Sequence, residues 1–202
     1  VVVNAAPELI KALAPEPGPE RQALAAAFDA ALQRLEADAS LSRADRLGAL
    51  TSRVALARID QPAKELRPTL PAALVQRVKT HVARDDQQIT DGYERQAVIT
   101  SGAYTLGLAG LWADSDALLK ANLARSHSPY YLMSQLGGNA RKQGQTDEAL
   151  RWYGLAFDKS EGPATRLQWG ASYLGALVDL APQDAPRIEQ VARTLFTEAA
   201  QD

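Results

Sequence analysis

The chain has 202 residues, of which 46% are apolar and 23% are charged, and its formal net charge is −2. This balance provides neither a broad basic face for nucleic acid nor a polybasic membrane anchor, so neither partner is expected. The sequence contains no cysteine, which excludes a disulfide, a thiolate nucleophile and a cysteine metal site within it. Its apolar runs are far shorter than the ~20 residues that cross a bilayer, so no membrane span is expected.

Alanine and leucine dominate the composition, and this favours helices throughout. The spacing of Val3, Ile10 and Leu13 predicts a first helix, which a proline-rich stretch then ends. Pro19 opens a stronger helix, because apolar residues recur on one of its faces while charges lie opposite. That apolar stripe consists of Leu24, Phe28, Leu32 and Leu35.

Two more helices and a connector follow along the chain. Ser42 and Asp45 form a helix-start signal, and the helix should stop near Asp60 because a proline follows. Residues 61–71 contain three prolines and predict a connector. From Pro71 a further helix should reach a break near Gly92; its apolar residues are Leu74, Val75, Val78 and Val82.

The next segment, about Tyr93 to Leu111, has apolar residues on two sides, which predicts a helix packed between neighbours. Asp114 is predicted to cap a helix over residues 115–125, and Ser128 with Pro129 to restart the chain. Two last helices are predicted, one from residue 163 to about 180 and one after a pair of prolines. The last carries Ile188, Val191 and Leu195.

Residues 133–163 are typical of two short antiparallel helices joined by a tight turn. Thr146 is predicted to cap the second helix, and Gly162 to take a left-handed conformation before Pro163 opens the next one. The pair resembles a tetratricopeptide repeat, which implies recognition or scaffolding rather than catalysis. The matching positions are Leu136, Gly137, Ala140, Gly144, Ala149, Tyr153 and Ala156.

The small residues of this helix pair recur along the chain. A shift of 34 residues pairs Ala103 with Gly137, and a shift of 33 pairs Gly137 with Gly170. The period predicts an all-α fold, with antiparallel helix pairs stacked as a tetratricopeptide-like right-handed superhelix over residues 89–202 and an irregular helical lead-in over residues 1–88. Two alternatives stay open: one continuous domain, and an alanine-rich bundle whose small residues recur by chance.

Aromatic residues concentrate in the second half of the chain, and these are the residues with functional promise. Trp152, Tyr153 and Phe157 are predicted to be core. Rigid aromatic side chains and arginine are typical of protein interfaces. A groove that binds a protein or peptide is therefore predicted near the remaining aromatic residues of this half. Its predicted partner-binding residues are Tyr131, Arg166, Trp169 and Tyr173.

No catalytic residue, metal site or cofactor is predicted. His81 is interpreted as lying on a polar helix face and His127 as a turn residue, both without a second ligand at suitable spacing. No nucleophile elbow surrounds the serines beside His127. Glu94 and Glu161 lie nearest the aromatic stretches, and they are the general-acid candidates if the chain is an enzyme.

Several long runs of the chain carry a further resemblance: ITDGYERQAVIT, LLKANLARSHSPYYLMSQLGGNARKQG and DEALRWYGLAFDKSEGPATRLQWGASY. They look like the C-terminal helical region of a family of bacterial secreted thioredoxin-family proteins. In that family a signal peptide and a thioredoxin-fold domain come before this region, and a cysteine pair in that domain carries the redox chemistry. The resemblance implies an excised, non-catalytic part of a periplasmic protein connected with thiol-disulfide exchange.

Taken together, the sequence predicts a non-catalytic helical module that binds a protein or peptide, or the thioredoxin domain of its own chain. Two alternatives from other classes stay open. One is an all-α enzyme that uses Glu94 or Glu161, and the other is a structural spacer without a ligand.

Overall fold

The computed structural model describes residues 5–200, which form ten α-helices and one turn of 3₁₀ helix at 123–125, without a strand among them. The predicted all-α fold class is confirmed. Val3, assigned above to the first helix, lies outside the described residues. The helices are α1 (Ala6–Leu13), α2 (Pro19–Ala37), α3 (Arg43–Ala57), α4 (Ala72–Gln88), α5 (Gly92–Leu108), α6 (Trp112–Asn122), α7 (Pro129–Lys142), α8 (Thr146–Lys159), α9 (Pro163–Leu180) and α10 (Ala185–Ala199).

The chain divides into two compact units, an N-terminal unit up to Ser115 and a C-terminal unit from Asp116 onward. The sequence places the division earlier, between residues 88 and 89. In the structure α4 and α5 pack against each other within the N-terminal unit, so the division falls inside α6 instead.

Side-chain caps fix several helix starts. The Ser42 hydroxyl accepts a hydrogen bond from the backbone N–H of Asp45 at 3.1 Å, as the start signal predicts. Two predicted caps are wrong. Asp114 lies inside the first turn of α6, because that helix begins at Trp112, and Thr146 is the first residue of α8 rather than its cap.

In the N-terminal unit, α3 lies between α2 and α5. Arg43, at the start of α3, pairs with Glu94, near the start of α5, at 3.3 Å. Arg58 follows α3 and donates a hydrogen bond to the carbonyl of Leu108, the last residue of α5. These contacts show that α3 and α5 run parallel. Fully buried core residues of this unit include Leu47, Leu50, Val54, Val78 and Ile99.

The proline-containing connector predicted over residues 61–71 is held against the helices around it. The Gln61 side chain bonds to both the N–H and the carbonyl of Thr69, at 2.9 and 2.8 Å. The indole N–H of Trp112 donates to the carbonyl of Leu66 at 2.7 Å. Gly110 has a φ of +77°, and a Cβ there would lie 2.8 Å from Pro68, so a glycine is required where the connector crosses this turn.

In the C-terminal unit, short turns join α7 to α8 and α8 to α9, and each helix packs on the next. Gly144 and Gly162 have φ values of +72° and +81°, so the predicted left-handed conformation of Gly162 is confirmed. A Cβ on Gly137 would lie 3.0 Å from the Tyr153 ring, which explains why α7 and α8 need a small residue where they meet. The core of the unit includes Leu150, Phe157, Trp169, Tyr173, Leu177 and Leu195.

Candidate functional site

Two of the four predicted groove residues, Trp169 and Tyr173, lie in the core. Their exposed fractions are 8% and 7%, and they pack with the apolar residues of α8, α9 and α10. The prediction that they line an exposed groove does not agree with this burial. The physical reason is close packing: a Cβ on Gly154 would lie 3.3 Å from the Tyr173 ring, and one on Gly170 would lie 2.2 Å from Leu195.

Tyr131 is the predicted groove residue that stays at the surface, with 42% of its area exposed. Its ring meets the Trp169 ring edge-on, with the ring centroids 5.1 Å apart, and the Tyr130 ring lies 5.2 Å from it. Edge-to-face contacts of this kind stabilise a cluster beyond the area they bury. Tyr131 therefore covers the buried indole and presents its own outer side to solvent.

Arg166 joins three helices. Its guanidinium makes a two-pronged ion pair with Glu198 of α10, at 2.7 and 2.9 Å. It also donates to the carbonyls of Phe157 and Ser160, both at 3.3 Å, where α8 ends. These bonds engage the guanidinium within the fold, and its partner-binding role stays a prediction. The predicted core set agrees with the structure, since Trp152 and Phe157 are buried and Tyr153 is partly buried.

The two general-acid candidates lie in open surroundings. The Glu94 carboxylate is about one-third exposed and is paired with Arg43. Glu161 is exposed in the turn between α8 and α9. The Glu94 carboxylate is thus engaged by an arginine and Glu161 faces solvent, and their use as general acids stays a prediction.

A surface groove of about 340 Å³ lies between the parallel helices α3 and α5 of the N-terminal unit. Among residues 5–200, the side chains that line it are uncharged, and most of them are small. Thr51 and Thr105 share a hydrogen bond between their hydroxyls, at 2.6 Å, beside it. Tyr104 stands at its wall with 52% of its area exposed. The lining residues are Ala44, Gly48, Thr51, Thr100, Ser101 and Tyr104.

A buried cluster of charges, the second unusual feature of the N-terminal unit, links α2, α3 and α4. Glu36 of α2 has only 2% of its side chain exposed and accepts hydrogen bonds from Arg53, at 2.7 Å, and from Arg77. Arg53 also binds Asp29 at 2.8 Å. His81 of α4 lies against Glu36 with 1% of its side chain exposed.

The His81 placement corrects the sequence interpretation. The residue is buried rather than on a polar face, and a carboxylate does lie at ligand spacing, since Asp85 is one helical turn away with 3.3 Å between Nε2 and Oδ2. Within residues 5–200, however, no group of three His, Cys, Asp or Glu side chains has a geometry suited to holding a metal ion.

Burial alone would raise the pKa of Glu36, but its interactions with His81, Arg53 and Arg77 outweigh burial and lower the pKa from 4.5 to about 2. A carboxyl group whose pKa falls on folding stabilises the folded state at every pH above its unfolded value. This contribution is complete above pH 4.5 and is lost as the pH falls toward 2. The cluster thus sets an acid limit for the N-terminal unit.

The comparisons with known proteins have one result. No protein-family model, curated protein or solved structure matches this chain. The resemblances to tetratricopeptide repeats and to thioredoxin-family proteins therefore stay predictions from the residues. Separately, no helix within residues 5–200 is both long and apolar enough to cross a membrane.

Sequence reasoning missed the α3–α5 groove and the buried charge cluster. For the groove a signal was present in the helical spacing of α5. One face of that helix carries two exposed tyrosines with small residues between them, and this pattern indicates a surface face rather than a core face; its residues are Tyr93, Ala97, Ser101 and Tyr104. For the cluster the signal was the spacing of His81 and Asp85, which places both on one face of a helix.

Proposed function

We propose that the chain is a non-catalytic helical module that binds a segment of a protein or peptide in the groove between α3 and α5. The observation that carries this proposal is the groove itself, a concave strip of small residues with an exposed tyrosine in its wall. Tyrosines supply large, rigid contact area, and they are enriched at interfaces.

The residues that line the groove indicate which kind of segment would bind there. Gly48 has open space where a Cβ would stand, so a partner backbone can approach α3 closely there. The hydroxyls of Thr51, Thr100 and Ser101 supply polar groups without charge. We therefore propose an uncharged segment with small or aliphatic side chains as the occupant.

The wider context is proposed on the sequence resemblance alone. The resemblance supports a periplasmic protein of the thioredoxin family, in which the helices bind a protein or peptide partner or the thioredoxin domain of the same chain. The mass and free-thiol count of the natural polypeptide test this context. A larger product with a reactive cysteine pair before Val1 supports it, whereas a mature product of this size without thiols overturns it.

The groove is tested by filling it. Leucine at position 48 would occupy the open space and block a bound segment, and it is a better helix former than glycine. Peptides selected from a displayed library on the unaltered chain should bind the Gly48→Leu variant at least about 30-fold more weakly, as loss of a hot-spot contact of ~2 kcal/mol does. Tyr104→Ala should weaken the same peptides to a similar extent.

The matched control is Gly175→Leu, because Gly175 in α9 also has open space at its Cβ. It should leave binding unchanged. If the selected peptides respond to Tyr131→Ala and not to Gly48→Leu, the proposed groove is wrong and the C-terminal unit carries recognition. If the library yields no peptide whose binding is weakened by Gly48→Leu or by Tyr131→Ala, the chain is better described as a spacer without a ligand.

A further inference from the structure

His81 lies between two buried carboxylates that come from different helices. Its Nδ1 is 3.5 Å from Oε1 of Glu36 in α2, and its Nε2 is 3.3 Å from Oδ2 of Asp85 in α4. All three side chains are at most 2% exposed. These contacts are long ion pairs rather than aligned hydrogen bonds, so charge contributes more to them than hydrogen-bond geometry does.

The arrangement fits only one protonation state of the imidazole. A neutral imidazole carries one N–H, and its other nitrogen presents a lone pair. Here that lone pair would face a buried carboxylate oxygen, whichever tautomer formed. The imidazolium has two N–H groups and a positive charge, and it satisfies Glu36 and Asp85 together.

The other charges around His81 come from every helix packed near it. Arg53 of α3 contacts Glu36 from one side, and Arg77 of α4 contacts it from another. Arg84 lies 3.4 Å from Asp85. From α5, Arg95 pairs with Asp86, the residue after Asp85, at 2.7 Å. Arg77 and Arg84 are 45% and 40% exposed, so solvent screens them more than it screens the two carboxylates.

We propose that the His81 imidazolium is a pH-sensitive clasp that holds α4 against α2, and that losing its proton as the pH rises loosens α4 from α2. The adjoining surface fits this role. A groove of about 360 Å³ separates α2 from the start of α4, with Ala26, Leu74 and Arg53 among its lining residues. Because Arg53 also binds Glu36, the clasp lies where this groove ends.

The direction of the pH effect follows from the contacts. Burial alone would lower the pKa of His81, but Asp85 and Glu36 outweigh burial, and the net shift from 6.5 is upward. A histidine whose pKa rises on folding contributes stability that is complete below pH 6.5 and is lost as the pH rises through its folded value. The carboxylates set the acid limit, and His81 sets the alkaline limit of the same cluster.

The first test is an NMR titration of the two histidines in the intact chain. His127 is exposed and provides the reference signal in the same spectra. We expect the His81 signal to show a charged ring with both nitrogens protonated at pH 6, and to titrate with a midpoint above 6.5. A midpoint at or below 6.5, or a neutral tautomer at pH 6, would overturn the clasp.

The second test measures whether deprotonation of His81 destabilises the fold and loosens α4. The folding equilibrium constant of the unaltered chain and of His127→Gln should fall by up to about tenfold per pH unit above pH 6.5 until His81 is neutral. The His81→Gln variant should lack this slope. Amide exchange, corrected for its intrinsic pH dependence, should quicken in residues 72–88 more than in residues 43–57.

Two results of the second test decide against the proposal. One is a folding equilibrium constant that falls equally with pH in His81→Gln and in the unaltered chain. The other is amide exchange in α4 that does not quicken as the pH rises. If His81→Gln does not fold, the exchange profile of the unaltered chain and the histidine titration still decide. None of these measurements needs a partner, so they stand or fall separately from the peptide groove.

Discussion

The N-terminal and C-terminal units both pack α-helices side by side, yet different residues fill the places where their helices meet. In the N-terminal unit, Glu36, His81 and Asp85 lie buried between α2 and α4 with arginines around them. In the C-terminal unit, Trp169 and Tyr173 fill the core. There the charged groups lie at the margin, as Arg166 does with Glu198, 29% and 30% exposed.

Because of this difference, the stability of helix packing should depend on pH in one unit and on side-chain volume in the other. The hydrophobic effect is non-directional, and the free energy gained by burying apolar side chains does not change with protonation. A buried ion pair costs desolvation energy and recovers it only while every partner keeps its charge. The junction of α2 with α4 is therefore expected to respond to pH, and the packing of α8, α9 and α10 to side-chain volume.

The largest effect is expected from removing one charge of the buried cluster. Glu36→Gln keeps the shape of the side chain but removes a buried charge partner from both Arg53 and His81, and this should lower the free energy of unfolding by about 3–5 kcal/mol. Denaturant unfolding measures it. The control is Glu189→Gln in the exposed pair with Arg193, which should cost less than about 1 kcal/mol. Equal losses in the two variants would remove the contrast between buried and exposed charge.

A smaller effect is expected from adding volume in the aromatic core. In Gly170→Ala the new methyl would lie 2.2 Å from Leu195 and 2.9 Å from Phe157, so overpacking should destabilise the protein by about 1–3 kcal/mol. Gly175→Ala in the same helix meets no atom within 4 Å and should stabilise it by about 0.5–1 kcal/mol. Thermal unfolding of both variants checks the opposite signs, and the same sign in both would contradict tight packing at Gly170.

The smallest effect concerns the polar margin of that core. The guanidinium of Arg187 donates to the Tyr173 hydroxyl at 2.6 Å. Tyr173→Phe removes this acceptor and keeps the ring, so it should cost about 1 kcal/mol in denaturant unfolding. Tyr131→Phe, in a ring 42% exposed, should change stability by less than about 0.5 kcal/mol. A larger loss for Tyr131 than for Tyr173 would refute the assignment of Tyr173 to the core.

Local signals predicted most of the helices but not the interior of α2. Pro19, Ser42 and the prolines of the connector mark boundaries through backbone chemistry that acts over a few residues. The apolar stripe of α2 was expected to end in Leu35, but Leu35 is 36% exposed and its neighbour Glu36 is buried. The partners that make this burial possible, Arg53 and His81, come from other helices, and the spacing within α2 carries no information about them.

The candidate site was harder to predict for a related reason. Aromatic clustering along the sequence indicated a surface around Trp169 and Tyr173, yet the glycines of α8 and α9 let neighbouring helices close over both rings. Tyr104 lies in a segment predicted to pack on two sides, yet its ring is half exposed beside the small residues of α3. Residue types predicted the helices, whereas exposure depended on packing between helices distant in sequence.

The hydrogen bond from Trp112 to the connector at Leu66 gives the molecule a built-in optical reporter. Trp112 is the tryptophan of the N-terminal unit, and the chain's other two, Trp152 and Trp169, lie in the C-terminal unit. With Trp152 and Trp169 replaced by phenylalanine, the remaining emission follows the release of the connector from α6. The reciprocal variant follows the aromatic core, so fluorescence can show whether the two units melt together or one after the other.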